Sequence, residues 1–148
     1  MWQTVALELG LCGWIVVLLA GDLAYRPDRK TQLWKLAMVG IAVLALALWW
    51  QRSWIGQSFD PMFVLDRFAY TFKGLFVLTA CVIILMTRVF TQHSPTNIGE
   101  FYLLLFSALL GMLVLSSVQD LLLLFVSLEL LTFSLYVMAA YLKTDAQA

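Results

Sequence analysis

The chain has 148 residues, of which 63% are hydrophobic and only 12% are charged. Soluble domains contain roughly 45–50% apolar and 25% charged residues, so water is not the main solvent of this chain. Nine basic and nine acidic residues give a formal net charge of zero, which provides no overall field to attract nucleic acid or an acidic substrate. The composition therefore predicts a protein whose solvent is the lipid bilayer and which does not bind nucleic acid.

Charged and proline-containing segments divide the chain into five apolar stretches, each close to the roughly 20 residues that cross a bilayer core. The first stretch carries Glu8, has no basic residue before it and lacks a small-residue cleavage site, which favours a retained span over a signal peptide. Backbone groups in lipid are satisfied only in helices or closed barrels, and these stretches have no alternating pattern. We predict a single all-α integral membrane domain over 1–148, with five transmembrane helices at about 3–21, 33–50, 67–90, 101–118 and 120–142.

Basic residues between the predicted helices indicate the orientation of the chain. With the N-terminus outside, on the periplasmic face, and the C-terminus in the cytoplasm, six basic residues lie inside and three outside. The inner ones are Arg26, Arg29, Lys30, Lys35, Arg88 and Lys143, and the outer ones are Arg52, Arg67 and Lys73. The fourth and fifth helices are joined by little more than Gln119 and Asp120, which predicts an antiparallel pair.

Glu129 is the most informative residue of the sequence, because it is the one carboxylate in the long apolar run of the fifth helix. An ionised carboxylate near the centre of a bilayer costs at least ~2.5 kcal/mol, so intramembrane acids are commonly paired or line a proton or ion pathway. Thr132 and Tyr136 follow at helical spacing and form a polar stripe with it, which we expect to face protein. The alternative is that Glu129 only holds helices together.

Lys73 is a second intramembrane charge, about two turns into the third helix. It is either a mobile charge partner or a lysine whose ammonium extends to the interface, and Asp66 lies on the same helix face. We interpret Asp66 and Arg67 as interfacial anchors, and Glu8 as an interfacial or interhelical acid rather than a catalytic one.

The remaining chemistry-bearing residues predict no cofactor or metal site. Cys12 and Cys81 lie in apolar runs, where a buried small hydrophobe is the expected role, and His93 lies alone in a polar loop. Ser107 and Gly111, four residues apart on the fourth helix, form a small face that allows another helix to approach closely.

Several blocks of this sequence, read together, resemble one family of membrane proteins. They are Gly99-Glu-Phe-Tyr-Leu-Leu-Leu-Phe106, Gly111-Met112, Asp120-Leu-Leu-Leu-Leu-Phe125, Leu128-Glu-Leu-Leu131 and Ser134-Leu-Tyr136. They look like the fourth and fifth helices of subunit N of bacterial NADH:quinone oxidoreductase, complex I. Val64-Leu-Asp-Arg-Phe-Ala69 with Phe72-Lys73 resembles the entry into that subunit's third helix, and Glu8 and Asp22 stand where acids stand in its first.

The resemblance implies a membrane-arm subunit without a redox centre, in the bacterial inner membrane. It implies proton transfer by Glu129, with Lys73 as a possible charge partner, and NADH, flavin, iron–sulfur clusters and quinone bound by partner subunits. Family members have about fourteen helices, and the lysine that partners the glutamate lies on a seventh helix. The resemblance therefore implies a truncated form or a split gene, with another chain supplying the C-terminal helices beside the other membrane subunits.

Two other functions are compatible with the same sequence. One is a subunit of a related cation/proton antiporter or membrane-bound hydrogenase, because those complexes share the ancestral module. The other is a structural remnant that scaffolds helices in a larger assembly without moving protons. Glu129 weighs against the second of these, and the small number of helices weighs for it.

Overall fold

The structure is a computed structural model and describes residues 5–24, 33–55, 57–59, 63–91 and 98–145. The described residues contain five helices that are long and apolar enough to cross a membrane. They are α1 (Ala6–Ala24), α2 (Leu33–Gln51), α3 (Arg67–Thr91), α4 (Ile98–Ser117) and α5 (Leu121–Asp145). The five predicted helices are thus confirmed, although α1 begins and ends about one turn later than predicted.

The segment between α2 and α3 departs from the all-helical prediction. A short 3-10 turn at Arg52–Trp54 is followed by strands β1 (Gln57–Phe59) and β2 (Phe63–Leu65). The strands pair in antiparallel register, with Ser58 opposite Val64. Three-residue strands are too short to produce a readable alternation, so the sequence did not predict them. We call the end of the molecule that carries these strands the hairpin end.

Asp66 fixes the point where the hairpin gives way to α3. Its carboxylate Oδ1 accepts a hydrogen bond of 2.7 Å from the backbone N–H of Ala69, three residues later. This is the geometry of a helix N-cap, which satisfies one of the amides that the first turn leaves without a helical partner. Asp66 is exposed and caps the helix, so it is not the partner of Lys73 despite sharing its face.

Helices α1 to α4 form a ring around one apolar core. Each packs on the next, and α4 closes the ring against α1, so α1 and α3 stand at opposite corners. Leucine, isoleucine and aromatic side chains fill the interior, among them the fully buried Leu11, Tyr102 and Phe106. A charged side chain that points into the ring is therefore surrounded by apolar side chains.

Helix α5 lies outside the ring and packs mainly on α4. Half of the α4 span is buried, against 11% of the α5 span. The contact is close, because the Ser107 and Ser134 hydroxyls are 2.8 Å apart and Gly111 faces the α5 backbone. The prediction of a small helix-packing face at Ser107 and Gly111 is confirmed.

Gly111→Leu should separate α4 from α5. A Cβ at this position would lie 3.0 Å from the Ser127 carbonyl oxygen and 3.1 Å from the Leu131 amide nitrogen, and backbone atoms cannot move aside as a side chain can. We expect a loss of about 1–3 kcal/mol in the free energy of unfolding. Disulfide formation between cysteines introduced at positions 107 and 134 measures the contact and should fail in this variant.

Gly13→Leu is the matched control for that substitution, because nothing lies within 4 Å of a Cβ at Gly13. Cross-linking should proceed as in the parent chain. Equal cross-linking in the Gly111 and Gly13 variants would contradict the close α4–α5 contact.

Candidate functional site

Glu8 and Lys73 form an ion pair inside the helical ring. The Lys73 ammonium donates a hydrogen bond of 2.6 Å to Glu8 Oε1. Lys73 is 0% exposed and Glu8 is 4% exposed, so neither charge reaches the surface of the chain. The lysine thus does not extend to the interface, and its charge partner among the described residues is the acid of α1.

The pair lies near the hairpin end. Lys73 is six residues after the first residue of α3, which corresponds to roughly 9 Å along the helix axis. Glu8 lies in the first turn of α1. Because α1 and α3 stand at opposite corners of the ring, the bond between Glu8 and Lys73 crosses the interior rather than joining two neighbouring faces.

Phe63 of β2 covers the pair. The Lys73 ammonium lies 5.1 Å from the centre of the Phe63 ring, within the range of a cation–π interaction. Phe63 is 5% exposed, and its backbone also pairs with Val118 in the turn between α4 and α5. The hairpin is therefore attached to both sides of the ring and closes the pair off from that end.

The hydrogen-bonding capacity of this pair is only partly used. An ammonium has three donors and a carboxylate has two acceptor oxygens, yet one hydrogen bond joins them. Glu8 Oε2 is buried and has no hydrogen-bond donor among the described residues. Most buried polar atoms in proteins have a partner, so a buried carboxylate oxygen without a donor in the described chain is unusual.

Glu129 occupies a different environment, on the outer surface of α5. It is eight residues after Leu121, roughly 12 Å along the helix and therefore near the middle of a ~30 Å bilayer core. Its side chain is exposed, and that of Tyr136 is 74% exposed. The Thr132 hydroxyl donates to the Leu128 carbonyl oxygen at 2.9 Å, so it serves its own helix rather than the carboxylate.

The predicted polar stripe of Glu129, Thr132 and Tyr136 faces no other described helix. The side of α5 that meets α4 carries Ser127 and Ser134 instead, both buried. Exposed leucine and phenylalanine side chains on α5 are compatible with lipid, but a carboxylate at this depth is not. That the stripe faces protein thus remains a prediction, and no part of the described chain supplies the covering surface.

Asp22 lies at the opposite end of the ring, where its carboxylate contacts Gly99 in the first turn of α4. Helix N-termini carry partial positive charge, so an acid at this position stabilises the start of α4. Only glycine leaves room for the carboxylate there.

The other candidate residues do not join either charged site. Arg52 and Arg67 line an open surface cavity of about 500 Å³ near the hairpin, which Glu8, Lys73 and Glu129 do not line. His93 lies outside the described residues. Among the residues that the structure describes, no three His, Cys, Asp or Glu side chains cluster as metal ligands, and Cys12 and Cys81 are both free.

Glu8 is the functional candidate whose importance the sequence did not reveal. Its partner lies 65 positions away, and no local spacing indicates which helices stand opposite each other. A signal was nevertheless present, since the predicted topology puts one lone acid and one lone lysine near the same end of two apolar spans.

The fold and its charges define a class of protein: a multi-pass helical membrane protein with ionisable groups within its spans. The chain is similar along its whole length to NAD(P)H-quinone oxidoreductase subunit 2 of Synechococcus sp. (strain JA-3-3Ab), with 35% identity over 100% of this chain and 28% of the relative. NADH-quinone oxidoreductase subunit N of Chlorobium chlorochromatii (strain CaD3) is 31% identical over 95% of this chain and 28% of the relative.

A third relative, NADH-quinone oxidoreductase subunit N 1 of Koribacter versatilis (strain Ellin345), is 35% identical over 95% of this chain and 29% of its own length. No protein-family model matches the chain. These similarities make the chain a homologue of NADH-quinone oxidoreductase subunit N and NAD(P)H-quinone oxidoreductase subunit 2, and they confirm the resemblance found in its sequence. The chain spans somewhat over a quarter of the length of these relatives.

Proposed function

We propose that this chain is a non-redox, membrane-arm component of a bacterial NADH:quinone oxidoreductase and contributes to coupled proton translocation. NADH oxidation and quinone reduction take place in partner subunits, which carry the flavin, the iron–sulfur clusters and the quinone. This chain contributes protonatable groups within the membrane. The similarity to quinone oxidoreductase subunits over the whole chain supports the family-level part of the proposal.

The observation that carries the proton-handling part is the position of Glu129. It is a mid-membrane carboxylate on a helix face that no described helix covers. A carboxylate at this depth needs a protein or water-lined environment, so further helices must contact α5 on this face. We propose that these helices correspond to the part of the relatives that this chain does not match. They lie in the same polypeptide or in a second one, and they bring a cationic partner to Glu129.

Assembly with other subunits is the first testable consequence of this proposal. Affinity purification of the tagged chain from mild detergent should recover additional membrane subunits together with NADH:quinone oxidoreductase activity. Deleting its coding sequence should remove NADH-driven proton pumping from the membranes. Isolation of the chain as a monodisperse monomer without other subunits would contradict the proposal.

Loss of the assembly on deletion of the chain, combined with normal protons pumped per electron in Glu129→Gln, would favour a scaffolding role. That outcome would retain the family assignment and reject the proton-handling part.

The orientation of the chain is a separate proposal, with the hairpin end at the periplasmic face. Its basis is the excess of basic residues in the segments that would then lie in the cytoplasm. We expect a cysteine introduced at position 30, in a chain whose native cysteines are replaced, to react with a membrane-impermeant maleimide only in inverted vesicles. A cysteine at position 52 should react in intact spheroplasts. The reverse pattern would overturn the orientation.

A further inference from the structure

The Glu8–Lys73 pair is separate from Glu129 in both position and environment. The pair lies inside the ring of α1 to α4, whereas Glu129 is on the outer face of α5. Among the described residues, the Glu8–Lys73 ion pair is the one polar contact that joins any two of these three side chains. A function of the pair must therefore be argued from its own geometry.

Helix packing alone does not explain why two charges occupy this interior. Removing a carboxylate and an ammonium from water costs several kcal/mol per ion, and a pair recovers this only when its hydrogen bonds are complete. Here one hydrogen bond is made and Glu8 Oε2 has no donor within the described chain. Apolar side chains of similar volume would hold α1 and α3 at least as well.

We propose that Glu8 and Lys73 form a second proton-binding site, at which Glu8 Oε2 exchanges a proton with water at the hairpin end. In this step a hydronium ion donates its proton to the carboxylate, an O–H bond forms on Oε2, and one water molecule is released. Glu8 becomes neutral while Lys73 stays an ammonium, so the attraction between them weakens and Lys73 is free to reorient. Loss of the proton restores the ion pair.

Phe63 controls access to this site. Its ring lies over the ammonium, and β2 is attached to the turn between α4 and α5 through Val118. Phe63 therefore contacts both the pair and the turn that precedes α5, the helix that carries Glu129. No second carboxylate lies within 4 Å of Lys73 among the described residues, and the Cys12 thiol lies one turn after Glu8 on α1.

This inference rests on the proposed function, and its test is a double-variant comparison in the complete assembly. Glu8→Gln/Lys73→Met removes both charges and keeps similar side-chain volumes, so a purely structural pair is replaced without penalty. We expect the double variant to be incorporated but to pump fewer protons per electron in proteoliposomes. Lys35→Met, which removes an exposed charge from α2, is the control and should pump like the parent assembly.

Normal pumping per electron in the double variant would overturn the inference. Should Glu129→Gln lower pumping in the same preparation, the proposed function would stand and only the second site would fail. If the purified NADH:quinone oxidoreductase did not contain this chain, the proposed function itself would be rejected.

A second measurement decides the question if the double variant does not assemble. Infrared difference spectra of the parent assembly during turnover should contain a transient C=O band of a protonated carboxyl group. Glu8→Asp keeps a carboxyl group at this position but changes its surroundings, and should shift this band. Absence of any protonated-carboxyl band that responds to Glu8→Asp would overturn the inference.

Discussion

Lys73→Met should destabilise the chain strongly, by about 3–5 kcal/mol in the free energy of unfolding. The substitution leaves the Glu8 carboxylate inside an apolar ring without the one hydrogen bond that the ammonium donates to it. The cost comes from the unpaired charge that remains rather than from the lost contact. A denaturant titration in detergent micelles, followed by tryptophan fluorescence, measures the change.

Two further variants test whether the loss of stability comes from the unpaired Glu8 carboxylate or only from the removal of a positive charge. Adding Glu8→Gln to Lys73→Met should recover most of the lost stability, because no buried charge is then left unpaired. Lys35→Met removes an exposed ammonium at the other end of the bundle and should leave stability nearly unchanged. Equal stability of the Lys73 and Lys35 variants would show that the ion pair does not form.

The helices of this protein could be predicted from sequence because each is a local feature. Charged and proline-containing segments interrupt the apolar runs, and α3 begins at Arg67, directly after Asp66, whose side chain caps it. The ends of α1 were misjudged by about a turn, since Asp22 was taken as a boundary although it lies in the last turn of the helix against Gly99. The contact of Asp22 with α4 thus keeps this polar residue within α1, although the sequence alone indicated that the helix ends before it.

The two candidate sites differ in the same way, because one is a local feature of the sequence and the other depends on contacts between distant helices. Glu129 could be found from sequence because a single carboxylate in a long apolar run is conspicuous whatever surrounds it. The pairing of Glu8 with Lys73 could not be found in this way, because it depends on which helices stand at opposite corners of the ring. The hairpin that covers the pair was missed for a related reason, since its strands are defined by pairing with each other and with Val118 rather than by length or alternation.

Glu129→Gln should abolish most of the proton pumping that depends on this chain while allowing its incorporation into the assembly. Glutamine preserves the volume and much of the hydrogen bonding of glutamate but cannot carry a proton. If the carboxylate binds and releases a proton during each cycle, the amide blocks that step. If it only joins helices, the amide serves almost as well. Glu100→Gln, an acid-to-amide change at an exposed position in the first turn of α4, is the matched control.

The central claim is that Glu129 carries a proton, and the number of protons pumped per electron in proteoliposomes tests it most directly. NADH:quinone turnover and the amount of this chain in the assembly are measured in the same preparation. The proposed function predicts a clear fall in protons per electron for Glu129→Gln at normal incorporation, with Glu100→Gln equal to the parent. An unchanged number of protons per electron in Glu129→Gln, with the chain fully incorporated, would contradict it.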